Sequence, residues 1–142
     1  MRPALFLTMS KRPLEPFQDV AYAALRVIVG LMFAMHGAQK LFGVLTDRPT
    51  VDIATQAGVG GVIELVCGAA IALGLFTRLA AFLASGTMAV AYIQFHWKGE
   101  LDQRFFPIVN QGELAVVYCF LFLYMACRGA GRFSLDARRG AA

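Results

Sequence analysis

Leu79 to Ile93 reads LAAFLASGTMAVAYI, a run with no charge and with Ser85 and Thr87 as its polar side chains. A helix of a soluble domain presents a polar face to water along its length. This run has no such face, so a soluble bundle cannot accommodate it. The rest of the chain agrees. Its 142 residues are 58% hydrophobic and 15% charged, whereas a soluble domain keeps roughly a quarter of its residues charged. A bilayer span needs about 20 mostly apolar residues. Four windows meet that length: Val20 to Phe42, Gly58 to Phe76, Leu79 to Trp97, and Pro107 to Cys127. The expected fold is all-α, an integral membrane four-helix bundle. Residues 1–19 form an N-terminal segment, 20–136 the helical domain, and 137–142 a basic tail.

The connections predict orientation, because Lys and Arg of short loops collect on the cytoplasmic side. Arg2, Lys11 and Arg12 precede the first window, Arg78 joins the second to the third, and Arg128, Arg132, Arg138 and Arg139 follow the fourth. The opposite loops hold Arg48, Lys98 and Arg104, offset by Asp47, Asp52, Glu100 and Asp102. Both termini are therefore expected in the cytoplasm, with the protein multi-pass in a bacterial inner membrane. The net charge of +4 then reports topology and attraction to anionic lipid headgroups, and nothing in the pattern suggests nucleic acid. The apolar run Ala4 to Met9 is too short for a signal peptide, and Met1 and Met9 both remain open as the start.

Against this apolar background, the segment Gly30 to Phe42 contains His36, Gln39 and Lys40, with Arg26 upstream. At 1.5 Å per residue, His36 lies about 7 Å and Lys40 about 13 Å outward of the first window's midpoint, and Arg26 about 7 Å inward. In the second window Glu64 falls about 4 to 5 Å outward, and in the fourth Glu113 falls about 6 Å outward, with Asn110 and Gln111 above it. Gln94 and His96 end the third window on the same side. Apart from Arg26, the strongly polar residues of all four windows thus share one stratum. A charge facing lipid costs about 2.5 to 3.5 kcal/mol by insertion scales, so these groups are expected to face protein. Arg26, Gly30, Ala34 and Ala38 form one row of small residues at helical spacing, and Gly60, Glu64, Gly68 and Ala72 form another; such rows let helices approach closely. Gly37 and Gly112, beside the polar residues, are expected to serve helix packing as well. Arg26 and Lys40 are expected to be neutralised by Glu64 and Glu113, with the pairing left open.

These residues also carry a resemblance. Arg26, Gly30, Phe33, His36-Gly37 and Lys40-Leu41 resemble the opening signature of the DoxX family of small bacterial membrane proteins. Gly60-Gly61, Glu64, Gly68, Leu73-Gly74-Leu75 and Thr77-Arg78 are similar to its second-helix pattern. Asn110, Gly112-Glu113 and GAGRFSLD, Gly129 to Asp136, are similar to its fourth helix and tail, with Ala130 where that pattern has proline. The resemblance spans Val20 to Asp136. It implies a four-helix membrane bundle and, since the family takes its name from a subunit of thiosulfate:quinone oxidoreductase, an association with redox complexes.

The chain's own residues supply no autonomous catalytic constellation. Cys67, Cys119 and Cys127 form no Cys-x-x-Cys pair, and a thiol in hydrocarbon is a poor nucleophile. His36 and His96 share the outer layer, but as rim histidines they read as hydrogen-bonded residues rather than as the two ligands of a haem. His36, Glu64 and Glu113 are too few convergent ligands to argue a metal site. Three readings of the polar layer stay open. It lines a pocket for a small apolar molecule with a polar head, such as a quinone, with His36 or Lys40 donating to a carbonyl and Phe33 and Tyr92 beside the ring. Alternatively, Arg26, Glu64 and Glu113 form an interhelical ion-pair core of a structural or assembly subunit. In the third reading the carboxylates relay protons in a small transporter. Expected partners are the bilayer and membrane or redox proteins, with a homo-oligomer compatible with the sequence.

Overall fold

The computed structural model describes residues 13–140. The predicted start at Met1 or Met9, the run Ala4 to Met9, and Arg2, Lys11 and Arg12 lie outside the described residues. Among the described residues there is no strand. The long helices are α1 (Gln18–Phe42), α2 (Gln56–Leu73), α3 (Thr77–Ala91) and α5 (Glu113–Arg128), with single turns α4 (Pro107–Asn110) and α6 (Leu135–Arg138). The helix of α3 continues as a wider π turn over Tyr92–Trp97. The helical stretches Glu15–Phe42, Gln56–Leu73 and Thr77–Trp97 are long and apolar enough to cross a membrane.

The fourth expected window behaves differently. Instead of one helix from Pro107 to Cys127, the chain makes a turn at Pro107–Asn110, breaks, and restarts at Glu113. The break has a local cause. The Asn110 Oδ1 accepts from the Gly112 amide at 2.8 Å, an Asx-type turn that competes with helix. Gln111 adopts the left-handed conformation at φ 60°, and α5, with 16 residues, is shorter than the other spans.

Close approach of α1 and α2 organises the bundle. A Cβ added at Gly30 would lie 2.5 Å from the Ala72 nitrogen and 2.7 Å from the Gly68 carbonyl, while one at Gly68 would meet the Ala34 and Gly30 backbone. Gly37 meets the Gly61 carbonyl and Leu65 backbone in the same way. Only glycine permits these backbone contacts, as in small-residue seams of membrane helices. Gly60, expected on this seam, has open space where its Cβ would be, and Gly61 takes the place against Lys40 and Leu41. On the other side, α3 turns Ala80, Ala81 and Ala84 into the interior, and the Ser85 hydroxyl donates to the Cys119 carbonyl of α5 at 2.8 Å. Phe33, Tyr118 and Phe122 fill the centre, with Phe33 and Phe122 rings 4.7 Å apart. The outer surfaces carry exposed Ile28, Val66, Leu79, Phe82, Val117 and Phe120. So continuous an apolar exterior would aggregate in water and suits lipid.

At the end of the bundle that carries the start of α1 and the segment after α5, two arginines cap helix C-termini. Arg26, 1% exposed, donates to the Ile71 carbonyl at 2.5 Å, the Ala72 carbonyl at 2.8 Å and the Phe133 carbonyl at 2.7 Å. The Arg78 guanidinium donates to the Ala126 and Cys127 carbonyls of α5 at 3.2 and 2.6 Å. A guanidinium placed at the unsatisfied carbonyls of a helix end meets both their hydrogen-bonding need and the negative end of the helix dipole. Asp136 completes the lock: its carboxylate accepts from the Phe76 and Thr77 amides, each at 2.9 Å, and its own amide donates to the Gly74 carbonyl. The tail after α5 is thereby fastened across α2 and α3.

Candidate functional site: a polar cavity at the loop end

At the opposite end, α1 brings Lys40 and α2 brings Glu64 together. Lys40 Nζ lies 2.6 Å from Glu64 Oε1; the Glu64 side chain is 4% exposed and that of Lys40 39%. The second carboxylate oxygen, Oε2, is buried and has no hydrogen-bond partner among the described residues. The pairing left open by the sequence is therefore made by Lys40 with Glu64. Arg26 does not take part: it binds carbonyls at the other end of the bundle, and a carboxylate is absent from its hydrogen bonds among the described residues. Glu113 is exposed in the first turn of α5, because the break at Gln111-Gly112 rotates it out of the layer. Its position suits the positive end of the helix dipole, and it makes no salt bridge among the described residues.

Glu64 and Lys40 lie on the wall of a cavity of about 410 Å³ between α1, α2, α3 and α5. His36, Arg48, His96, Gln111 and Tyr118 supply its other polar groups, and Phe33, Met88 and Phe95 its apolar wall. The volume falls in the range of small-molecule sites, and the lining has their usual composition, apolar walls with a few convergent polar groups. Tyr118 contributes the second anomaly: its side chain is buried, and its hydroxyl has no hydrogen-bond partner among the described residues. Its ring is fixed by stacking on Phe122, centroids 5.4 Å apart. The π turn after α3 is what delivers Phe95 and His96 to this wall, and such widened turns recur at functional sites.

Hydrogen bonds brace the cavity wall and the loops around it. His96 is held by its Nδ1 at 3.1 Å from the Asn110 carbonyl. Asn110 itself donates to the Arg104 carbonyl at 2.6 Å and shapes the turn before α5. Gln39 donates to the Leu45 carbonyl at 3.0 Å, fixing the start of the α1–α2 loop. Gly112 gives room to the Tyr92 ring, whose hydroxyl donates to the Phe105 carbonyl. Tyr92 is thus a strut for the loop over residues 98–112 and is absent from the cavity lining. Arg48 was read from sequence as a loop charge. The loop, tied down by Val51 amide to Lys40 carbonyl, folds it back over the cavity, where His36, Gln39, Lys40 and Arg48 also line an outer vestibule.

Comparisons with known proteins agree with this architecture. The DoxX family model matches residues 21–97, which carry α1, α2 and α3 with the π turn. A protein of Haemophilus influenzae described as uncharacterized is 42% identical over 130 residues, covering 87% of this chain and 93% of that one. An uncharacterized membrane protein of Mycobacterium tuberculosis is 30% identical over 129 residues, covering 80% of this chain and 78% of that one. No solved structure matches. The glycine seam, the half-buried Lys40–Glu64 pair and the polar layer stand on the segments that resemble the family's signature, and the chain is a membrane protein belonging to the DoxX family.

Proposed function

We propose that this chain is a four-span inner-membrane protein, both termini cytoplasmic, that holds a quinone-like molecule as the ligand-binding component of a membrane redox complex. The topology follows from the basic residues gathered at the Arg26–Asp136 end, with α5 and the α4 turn together as the fourth crossing. The single observation that carries the ligand is the convergence of two buried, unpartnered polar atoms, Glu64 Oε2 and Tyr118 Oη, on one cavity. A buried polar atom left without a partner costs about 1 to 3 kcal/mol, and both atoms belong to side chains that line this cavity, where one guest can reach both once they turn towards it. The two atoms ask for complementary things. The Tyr118 hydroxyl donates, which suits a ring carbonyl, and the Glu64 carboxylate oxygen accepts, which suits a hydroxyl. A quinone offers carbonyls and its quinol offers hydroxyls, so one ring skeleton satisfies either. Phe33 and Phe95 flank it, Lys40 pairs with the other oxygen of the carboxylate, and Arg48 and His36 close the outer mouth.

The binding reading leads over a structural subunit because here the unpartnered atoms belong to residues that line a cavity of small-molecule size with aromatic walls. Trp97 is the single tryptophan and follows the cavity residue His96, so its fluorescence serves as a reporter for quenching by a tail-less benzoquinone in lipid nanodiscs. Saturable quenching in the native protein, weakened in Tyr118→Phe, is the expected result. Quenching that rises linearly without saturation in both proteins would remove the proposal.

A further inference from the structure

A second cavity, of about 580 Å³, lies between α2 and α3 and opens sideways through the apolar exterior. It shares Lys40, Glu64, Ala91 and Phe95 with the polar cavity, so the two are neighbours across one wall. Its walls are apolar: Ile63 and Val59 on α2, Phe82, Leu83 and Val90 on α3. Even Thr87 presents no hydroxyl, because its Oγ1 donates to the Leu83 carbonyl of its own helix. Two glycines, Gly60 on α2 and Gly86 on α3, line the groove, and a Cβ added at either would meet nothing within 4 Å. Neither is needed for helix packing, in contrast to Gly30, Gly37 and Gly68. Gln56, at one end of the groove, hydrogen-bonds Gln94 of the π turn after α3.

We infer that this groove is the subsite for a single long hydrocarbon chain, alkyl or isoprenoid, of the molecule whose polar head occupies the cavity, and that such a ligand enters sideways from the bilayer. The inference rests on the binding reading above and adds the ligand's second half and its route. Three observations select this occupant. The groove ends at the Lys40–Glu64 wall of the polar cavity, so an apolar chain lying in it joins a head lying there. A partner helix suits it poorly, since its apolar face would cover the Lys40–Glu64 pair that lines one end of the groove. The bare glycines widen a gap that side chains would otherwise fill, between the Lys40–Glu64 pair and the Val59, Phe82 and Leu83 walls.

Gly60→Leu and Gly86→Leu test this, because open space at both positions predicts folded proteins, and Val66→Phe on the lipid-facing side of α2 controls for added bulk. Each is titrated in nanodiscs with a tail-less dimethoxy-methyl-benzoquinone and with its decyl derivative, read by Trp97 quenching, alongside thermal melting and size by light scattering. The expected result is a loss of about tenfold in affinity for the decyl probe in both leucine variants, unchanged affinity for the tail-less probe, and a native Val66→Phe. Equal binding of both probes to native and leucine variants would overturn the groove while leaving the cavity reading intact. Loss of both probes in folded variants, or a change of oligomeric state, would overturn it too, the latter by making the groove a protein interface. Saturable binding of neither probe to the native protein would end the cavity reading and the groove with it.

Discussion

Lys40 Nζ reaches Glu64 Oε1 at 2.6 Å, yet the two partners differ in burial, 39% exposed against 4%. The asymmetry decides what each contributes. Removing Lys40 leaves a buried carboxylate uncompensated, which costs about 3 to 5 kcal/mol. Removing the charge of Glu64 leaves an ammonium that can swing towards the vestibule, at a cost nearer the about 1 to 3 kcal/mol of a lost polar contact. Lys40→Met is therefore expected to lower the melting temperature in detergent more than Glu64→Gln, and the double variant to recover much of the loss. A thermal-melt double-mutant cycle checks this.

Arg26 is a clamp on backbone rather than a member of an ion pair. Its three carbonyl acceptors, from α2 and the tail, need the planar fork of a guanidinium, which an ammonium does not reproduce. Arg26→Gln is expected to destabilise the bundle by about 3 kcal/mol or more, and Arg26→Lys to rescue little of it. Limited proteolysis should then cut first near Phe133, because that segment loses its anchor. A tail as resistant as in the native protein would show that the anchor lies elsewhere.

Asp136 makes the tail lock sensitive to acid. Burial alone would raise its carboxyl, but the Thr77 and Phe76 amides, with Arg139 nearby, outweigh that and hold it below the usual carboxylate range. A carboxyl whose pKa is lower in the folded state stabilises fully above its unfolded value, about 3.9, and loses that contribution as pH falls through the folded value. The native melting temperature should thus drop below about pH 4. Asp136→Asn should start lower at neutral pH, by about 1 to 2 kcal/mol, and show a shallower acid decline. Melting curves between neutral and acid pH compare the two directly.

Much of the fold was legible because hydrophobicity over a span leaves little choice. Leu79 to Trp97 was expected and Thr77–Trp97 found, and the glycines Gly30, Gly37 and Gly68 mark the α1–α2 seam by their spacing. Gly60 was misplaced for a geometric reason. Residues three and four apart both share a helix face, so Gly60 and Gly61 were equivalent on paper, and packing chose Gly61. The break before α5 was hidden inside an apolar window, although Asn110 and Gly112 are turn residues; missing it put Glu113 into the layer. Arg26 was assigned a carboxylate because charge counting cannot see carbonyls as partners. Tyr118 and Arg48 were missed for opposite reasons. One is a lone hydroxyl in an apolar run, whose need for a partner was the available signal. The other sits in a loop whose path depends on tertiary contacts.

The central claim, that the polar cavity holds a guest through Glu64 and Tyr118, is tested most directly by native mass spectrometry of the protein extracted gently from its own membrane. The account predicts a retained small molecule of quinone-like mass on the native chain and its loss from Tyr118→Phe, whose fold and melting temperature should be nearly unchanged. A bare chain mass in both proteins, with a stoichiometric protein partner in its place, would contradict it and make the Lys40–Glu64 layer an architectural core.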